Sequence, residues 1–289
     1  MYLACDLGGS TGRVGVFDQL GQEKVRSGMT FEMTSTRPGV IGDFERDYDG
    51  LRRTCQAFMA TMGPMKGVGL AVAGRHDECR QTLTMAGNLG HWSGKPIVEM
   101  LSHDLGGCRV VLGNDAEALA VAELLHGVGQ QDEYRGQNFL GMIWGTGVGG
   151  AAVEYDENGN PFVTPMEPGH IRLLDTKPLR CGCGQTGCVE AYCGGNGIRA
   201  RFGKGAERLT DKEWLERVVP YMVCGLRALL SVHPVDLMVF GGGMACKDAW
   251  LLKAIEAQLG GPRLVLSRFG ETAGTVGALE LLNPRVSLN

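Results

Sequence analysis

His170, Cys181, Cys183 and Cys188 are spaced H-x10-C-x-C-x4-C, and all four are metal-ligating residue types. Thiolate and imidazole suit tetrahedral Zn²⁺, and three Cys with one His close its shell. A closed shell leaves no position for water, so such an ion is structural and ties a glycine-rich loop to His170. The glycines between the thiols let the backbone fold tightly. The competing readings are a disulfide or a chance group of free thiols, although a C-x-C pair is cramped for a disulfide. Two carboxylates flank the ligands, Glu167 and Glu190. A pinned loop presents such groups rigidly to a ligand.

Glycine turns offer a second chemistry. Asp6-Leu7-Gly8-Gly9-Ser10-Thr11-Gly12 and Gly145-Thr146-Gly147-Val148-Gly149-Gly150 each follow an apolar run. Turns of this kind aim backbone N–H groups outward, which suits phosphate oxygens. Two ordinary β-hairpins are the plainer reading. A third turn, Gly241-Gly242-Gly243, opens a helix. Asp115 ends a strand and opens another helix; it reads either as an N-cap or as a base at the carboxyl end of a strand, where open α/β sheets bind ligands. Asn88 and Trp92 share one loop. An amide and an aromatic ring suit a sugar, and a ring packed on the core is equally compatible with the pattern.

The elements that must position these groups alternate between strands and helices, which indicates an α/β fold. Strands are expected at Tyr2–Cys5, Val14–Phe17, Glu23–Thr30, Val68–Val72, Arg109–Leu112, Phe139–Trp144, Ala151–Tyr155, Asp236–Phe240 and Arg263–Leu266. Helices are expected at Tyr48–Met62, from Ile97, at Ala116–His126, from Gly195, at Lys212–Val232, at Lys247–Leu259 and from Ala273 to about Leu282. The strand, glycine turn, strand and hairpin of the N-terminus recur at Phe139–Asn160, which points to two related domains.

Composition narrows the class. The chain has 289 residues, 44% hydrophobic and 21% charged, with a formal net charge of −4. That length holds one large domain or two ordinary ones. The 46 glycines are roughly double the usual share. The acidic balance argues against a nucleic-acid surface. Asp6 interrupts the N-terminal apolar run, so no signal peptide is read, and no apolar stretch is long enough to span a membrane. The 10 cysteines suggest a reducing compartment, the cytoplasm by default.

The motifs, in this order, resemble the ROK family of sugar kinases and sugar-responsive repressors. They are DLGGST at Asp6–Thr11, GND at Gly113–Asp115, GTGVGG at Gly145–Gly150, EPGH at Glu167–His170, CGCGQTGCVE at Cys181–Glu190, GGG at Gly241–Gly243 and AGTVGA at Ala273–Ala278. The resemblance implies an actin-like ATPase architecture, with two ribonuclease H-like α/β lobes around a central cleft. It assigns residues 1–113, completed by a C-terminal helix within 273–289, to a small lobe, and residues 114–272 to a large lobe with the zinc site. It implies ATP-dependent phosphorylation of a hexose to the 6-phosphate, with Asp115 as general base. Asn88, Asn114, Glu167, His170 and Glu190 would hold sugar hydroxyls. Gly8, Gly9, Ser10 and Thr11, together with Gly145, Thr146 and Gly147, would grip ATP phosphates. Asp6 would help place Mg²⁺, and Gly242 and Gly243 would lie against the adenosine.

Glucose ranks first among acceptors, with N-acetylmannosamine, N-acetylglucosamine and other hexoses as alternatives. A homodimer is implied, with no nucleic-acid or membrane partner. A repressor of the same family would need a helix-turn-helix ahead of Asp6, and a sugar-binding protein without catalysis is the third reading. The chain departs from the family pattern at Ser10, at Ala73-Gly74-Arg75, at Glu117, where an Asn is usual, and at Pro168.

Overall fold

The computed structural model describes residues 1–21, 25–34, 41–247, 249–282 and 286–288. Short apolar runs ending in glycine or polar turns form the strands. In the first half these are β1 (Tyr2–Leu7), β2 (Thr11–Phe17), β3 (Ser27–Glu32), β4 (Val68–Val72) and β5 (Val110–Asn114). They form one sheet in the order β3-β2-β1-β4-β5. The β1–β2–β3 pairs are antiparallel, and β1–β4 and β4–β5 are parallel. Every residue of β4 is buried, as expected of a parallel strand covered on both faces. A two-stranded ribbon, Arg75–His76 with Leu83–Met85, follows β4.

The second half repeats this plan with β6 (Phe139–Trp144), β7 (Val148–Tyr155), β8 (Pro161–Met166), β9 (Leu237–Gly241) and β10 (Arg263–Leu266). Their order is β10-β9-β6-β7-β8, with Ser287–Leu288 at the far edge. Again the first three strands pair antiparallel and the last two join in parallel. Counted within each half, both sheets run third-second-first-fourth-fifth, so the repeated motif marks a repeated topology.

The helices are α1 (Phe44–Met62), α2 (Ile97–Asp104), α3 (Asp115–His126), α4 (Val189–Cys193), α5 (Gly195–Phe202), α6 (Asp211–Arg217), α7 (Val219–Val232), α8 (Gly243–Lys247), α9 (Ala249–Leu259) and α10 (Ala273–Glu280). Asp43 caps α1 by accepting from Arg46 N, and Gly63, at φ 86°, ends it. In α10, Gly277 lies on the backbone of Ala118, and Gly69 of β4 lies on that of Ala278. A Cβ at either glycine would fall 1.7 Å from a carbonyl oxygen.

The chain forms two compact units, Met1–Ala122 with Thr272–Ser287, and Glu123–Glu271 with Leu288–Asn289. The front of α3 lies in the first unit, where Ala118 meets Gly277 of α10. Each unit has its own apolar core, one around Leu3, Leu70 and Leu112 and the other around Met142, Trp144 and Phe240. No helix among the described residues is long and apolar enough to cross a membrane.

Several elements differ from the expectations. The helix expected over Lys212–Val232 is two helices, α6 and α7, meeting at Val218, whose φ is −121°. Pro220 has no N–H to donate and prefers a helix's first turn, so it starts α7 instead of continuing α6. The helix after Gly241 begins at Gly243. The third strand begins at Ser27; Glu23 and Lys24 of its expected span, Asp248 of the helix expected at Lys247–Leu259, and residues 283–285 and 289 lie outside the described residues.

Candidate active site

In the first unit, Gly8 N donates to Thr11 O at 3.1 Å and closes the β1–β2 turn. Asp6 sits just ahead of that turn with its carboxylate beneath the start of α10. A Cβ on Gly274 would lie 2.3 Å from Asp6 Cγ, so the glycine of the AGTVGA run makes room for the acid. Burial pushes the Asp6 carboxyl up to about 6, against the pull of Arg13, whose Nη1 stands 4.0 Å away. A carboxylate in that condition gains from a nearby cation.

The junction of β5 and α3 corrects one local reading. Asn114, not Asp115, caps the helix: its Oδ1 accepts from Ala116 N at 2.8 Å and Glu117 N at 3.2 Å. Its Nδ2 donates to Gly74 O at 2.8 Å. Glu117 Oε2 reaches back to accept from Asn114 N at 2.9 Å, which completes a reciprocal capping arrangement. Asp115 Oδ1 accepts from Ala116 N at 2.9 Å. The cap role is therefore filled by its neighbour, and Asp115 stands at the carboxyl end of β5.

Glu117 is fully buried. Arg80 meets it with both arms, Nη1 to Oε2 at 3.0 Å and Nη2 to Oε1 at 3.1 Å, and His76 Nε2 lies 3.5 Å away. Burial alone would raise this carboxyl; the bonds from His76, Arg80 and Asn114 outweigh it and hold it below the usual range. Asn88 is half-buried. Trp92 is wholly buried and meets the Phe44 ring edge-on at 5.1 Å. The ring belongs to the core, which decides the question the sequence left even.

In the second unit, the β6–β7 turn is closed by Gly145 N donating to Gly147 O at 3.0 Å. The start of α5 braces it from outside, with Gly195 N donating to Gly145 O at 2.9 Å and Asn196 N to Thr146 O at 3.1 Å. Gly242 has φ 91°, and a Cβ there would meet Trp144 O at 2.6 Å. A Cβ on Gly145 would lie 3.8 Å from Gly243 N. The two glycine turns therefore stand side by side, at the carboxyl ends of the neighbouring parallel strands β6 and β9.

The ligand atoms of His170, Cys181, Cys183 and Cys188 all lie within 4.8 Å of one another. Cys183 Sγ is 3.8 Å from Cys188 Sγ, and Cys181 Sγ is 3.9 Å from His170 Nδ1. Two thiolates at about 2.3 Å from a tetrahedral ion are separated by roughly 3.8 Å, so the spacing fits a shared metal. All described cysteines are free thiols. Burial pushes the Cys188 thiol up to about 11, with help from Cys183, and the Cys181 thiol further still. A divalent ion would reverse that bias. Glu167 Oε2 is 3.8 Å from His170 Nε2. Glu190 accepts from Val148 N at 2.9 Å and lies 3.8 Å from Cys181 Sγ; burial raises its carboxyl.

The model of the ROK family matches residues 2–284 of this sequence. The chain belongs to the ROK family. It is 29% identical over 319 residues to the N-acetyl-D-glucosamine kinase of Escherichia coli O9:H4 strain HS, covering 96% of this chain and 98% of that one. Its fold matches the ROK family glucokinase of Streptomyces griseus, solved with glucose and AMPPNP, at a TM-score of 0.74 and 24% identity over 97% and 98% of the two chains. The inorganic polyphosphate/ATP-glucomannokinase of Arthrobacter sp. strain KM matches at a TM-score of 0.73 and 22% identity, over 97% and 98%. The fold is the actin-like ATPase fold, and the chain stands among the sugar kinases, phosphotransferases with an alcohol acceptor.

In this ROK protein, two of the positions at or beside the departures from the family pattern are closely packed. Pro168 opens a 3-10 turn and packs on Gly150, where a Cβ would meet Pro168 Cγ at 2.9 Å. Gly74, at φ 146°, lies against Met85 O and Ala86, so a side chain there is barred by both conformation and contact. Three features escaped the sequence reading: the Arg80–Glu117–His76 group, the bracing of the β6–β7 turn by Gly195 and Asn196, and the fit of Gly274 over Asp6. The glycine run after Cys193 was a visible signal for the second; the others depend on long-range packing.

Proposed function

We propose that this ROK protein transfers the γ-phosphoryl group of ATP to the 6-hydroxyl of a hexose. Glucose is the first candidate acceptor. The likeness over 96% of the chain to an N-acetyl-D-glucosamine kinase makes that acetamido sugar the second. The observation that supports the reading is the place of Asp115, directly after the carboxyl end of β5 and at the head of α3, where open α/β sheets bind ligands.

Phosphoryl transfer depends on positioning and charge neutralisation more than on covalent help. In the second unit, Gly145–Gly147 takes the phosphates, and Gly242 and Gly243 border the adenosine. Their adjacency supports a single nucleotide lying across both turns. In the first unit, Gly8–Thr11 adds a second phosphate cradle. Asp6 would help hold Mg²⁺, which when bound neutralises phosphate charge. Asp115 orients the acceptor hydroxyl and takes its proton, a role worth about 10²–10⁴-fold. Asn88, Asn114, Glu167, His170 and Glu190 are the candidate sugar-binding side chains; Asn114 and Glu190 each also serve the local scaffold through the bonds above. His170, Cys181, Cys183 and Cys188 hold a structural zinc ion that anchors Glu167 and Glu190. The reading places the enzyme in the cytoplasm.

The test is ADP release from Mg-ATP against a panel of hexoses and N-acetylhexosamines, with no-sugar controls. Turnover confined to one sugar is expected, and Asp115→Asn should abolish most of it. Full turnover by that variant would remove Asp115 from the role of base.

A further inference from the structure

Glu117 uses its carboxylate fully within the protein. Oε1 takes Arg80 Nη2, and Oε2 takes Arg80 Nη1 and Asn114 N. His76 Nε2 approaches Oε2 as well. The residue is wholly buried and two positions beyond Asp115 on the first turn of α3. Its partners come from the ribbon after β4, 37 positions earlier for Arg80 and 41 for His76.

That ribbon is tied down at several points. Asp77 accepts from Gln81 N at 2.6 Å and Thr82 N at 3.0 Å. Arg80 N donates to Asp77 O at 2.9 Å. Asn114 Nδ2 holds the carbonyl of Gly74 at its entrance. Arg80 is the one non-glycine residue among those described with a positive φ, at 52°. A bulky residue keeps that conformation only where its surroundings over-determine it. The two-armed bond to Glu117 is such a determinant.

We propose that the Arg80–Glu117 pair is a positioning clamp for the acceptor side of the reaction. It locks the 75–85 ribbon to the first turn of α3 and so holds the Asp115 carboxylate in its working direction. Neither residue is catalytic; both act through Asp115 and through the ribbon. The inference rests on the kinase reading above. It goes beyond an ordinary ion pair because both anchored segments must loosen together when the fork is lost, and because turnover must fall without loss of nucleotide binding.

The test uses the full chain with Arg80→Lys, Arg80→Gly and Glu117→Gln. Lysine keeps the charge but cannot make the planar two-point bond. Glycine removes the clamp while accepting a positive φ without strain. Three readouts are taken: melting temperature, kcat with KM for ATP and for the sugar, and hydrogen exchange of peptides covering 75–85 and 114–118. In Arg80→Lys and Arg80→Gly, kcat should fall by about 10- to 100-fold, the scale of a small misplacement of a reacting group. KM for ATP should stay within about 2-fold, and both peptides should exchange faster together. Folded variants with unchanged kcat, or with exchange raised in one peptide alone, would overturn the clamp. If the wild type phosphorylates no sugar of the panel, the kinase reading fails, and the exchange measurement decides the clamp by itself: coupled loosening supports it and independent behaviour overturns it. If Glu117→Gln does not fold, the two Arg80 variants carry the test.

Discussion

Asn114 and Glu117 cap the head of α3 reciprocally. The Asn114 carbonyl oxygen accepts from Glu117 N at 3.2 Å while the Glu117 carboxylate accepts from Asn114 N at 2.9 Å. Asp115 lies between them in the chain. Replacing Asn114 by Ala removes the cap and the bond to Gly74 O, and loss of a cap costs about 1–2 kcal/mol. Denaturant unfolding of Asn114→Ala should show that loss, together with reduced turnover. Unchanged stability would mean that Asp115 can take over the cap.

The same carboxylate makes stability pH-dependent. Glu117 is held below the usual glutamate range in the folded chain. A carboxyl lowered by folding contributes stability in full above its unfolded value, about 4.3, and loses it as pH falls through the folded value. Wild-type unfolding free energy should therefore fall on acidification below about pH 4.3, and Glu117→Gln should fall less steeply. Equal slopes in the two proteins would exclude Glu117 from the acid transition.

Backbone contact in the first unit gives a sharper stability test. A Cβ on Gly277 would sit 1.7 Å from Ala118 O, whereas one on Gly261 would meet nothing within 4 Å. Gly277→Ala should cost about 3 kcal/mol or more, since neither backbone can yield cheaply. Gly261→Ala should be near neutral. The comparison is read by thermal melting, and similar melting points for the two variants would count against the close packing of α10.

The thiol cluster predicts about one zinc per chain by metal analysis, as a closed four-ligand site requires. Stripping with a chelator should lower the melting temperature and expose Cys181, Cys183 and Cys188 to thiol reagents, because ligand binding and folding are coupled. Metal-free protein with the same melting point and unreactive thiols would refute a structural ion.

Trp92 separates core from sugar platform. The ring is fully buried, and its Nε1 has no hydrogen-bond partner among the described residues. Trp92→Phe keeps an aromatic ring and removes that orphan donor but leaves a small cavity, so stability should fall by about 1–3 kcal/mol. KM for the sugar should not move. A large rise in KM in a stable variant would return Trp92 to the acceptor site.

Much of this molecule was legible in its residues. Val68–Val72, Phe139–Trp144 and Arg263–Leu266 are strands at the expected bounds, because uninterrupted apolar runs flanked by glycine or polar turns leave few alternatives. The His170–Cys188 spacing pointed to one cluster, since its ligands lie within a short stretch of chain. The repeated glycine hairpin was equally local, although the sheet order that the two halves share could not be read from it. Tertiary structure alone decided the rest. The Trp92 loop could face a ligand or the core until α1 placed Phe44 against it. The polar pair at 114–115 could share the capping role either way until Gly74 and Glu117 took hold of Asn114. Arg80 and Glu117 carry no mutual signal in the sequence, being 37 positions apart; only the folding of the ribbon onto α3 brings a buried carboxylate and a two-armed cation together, and an unpaired buried charge is too costly to leave otherwise.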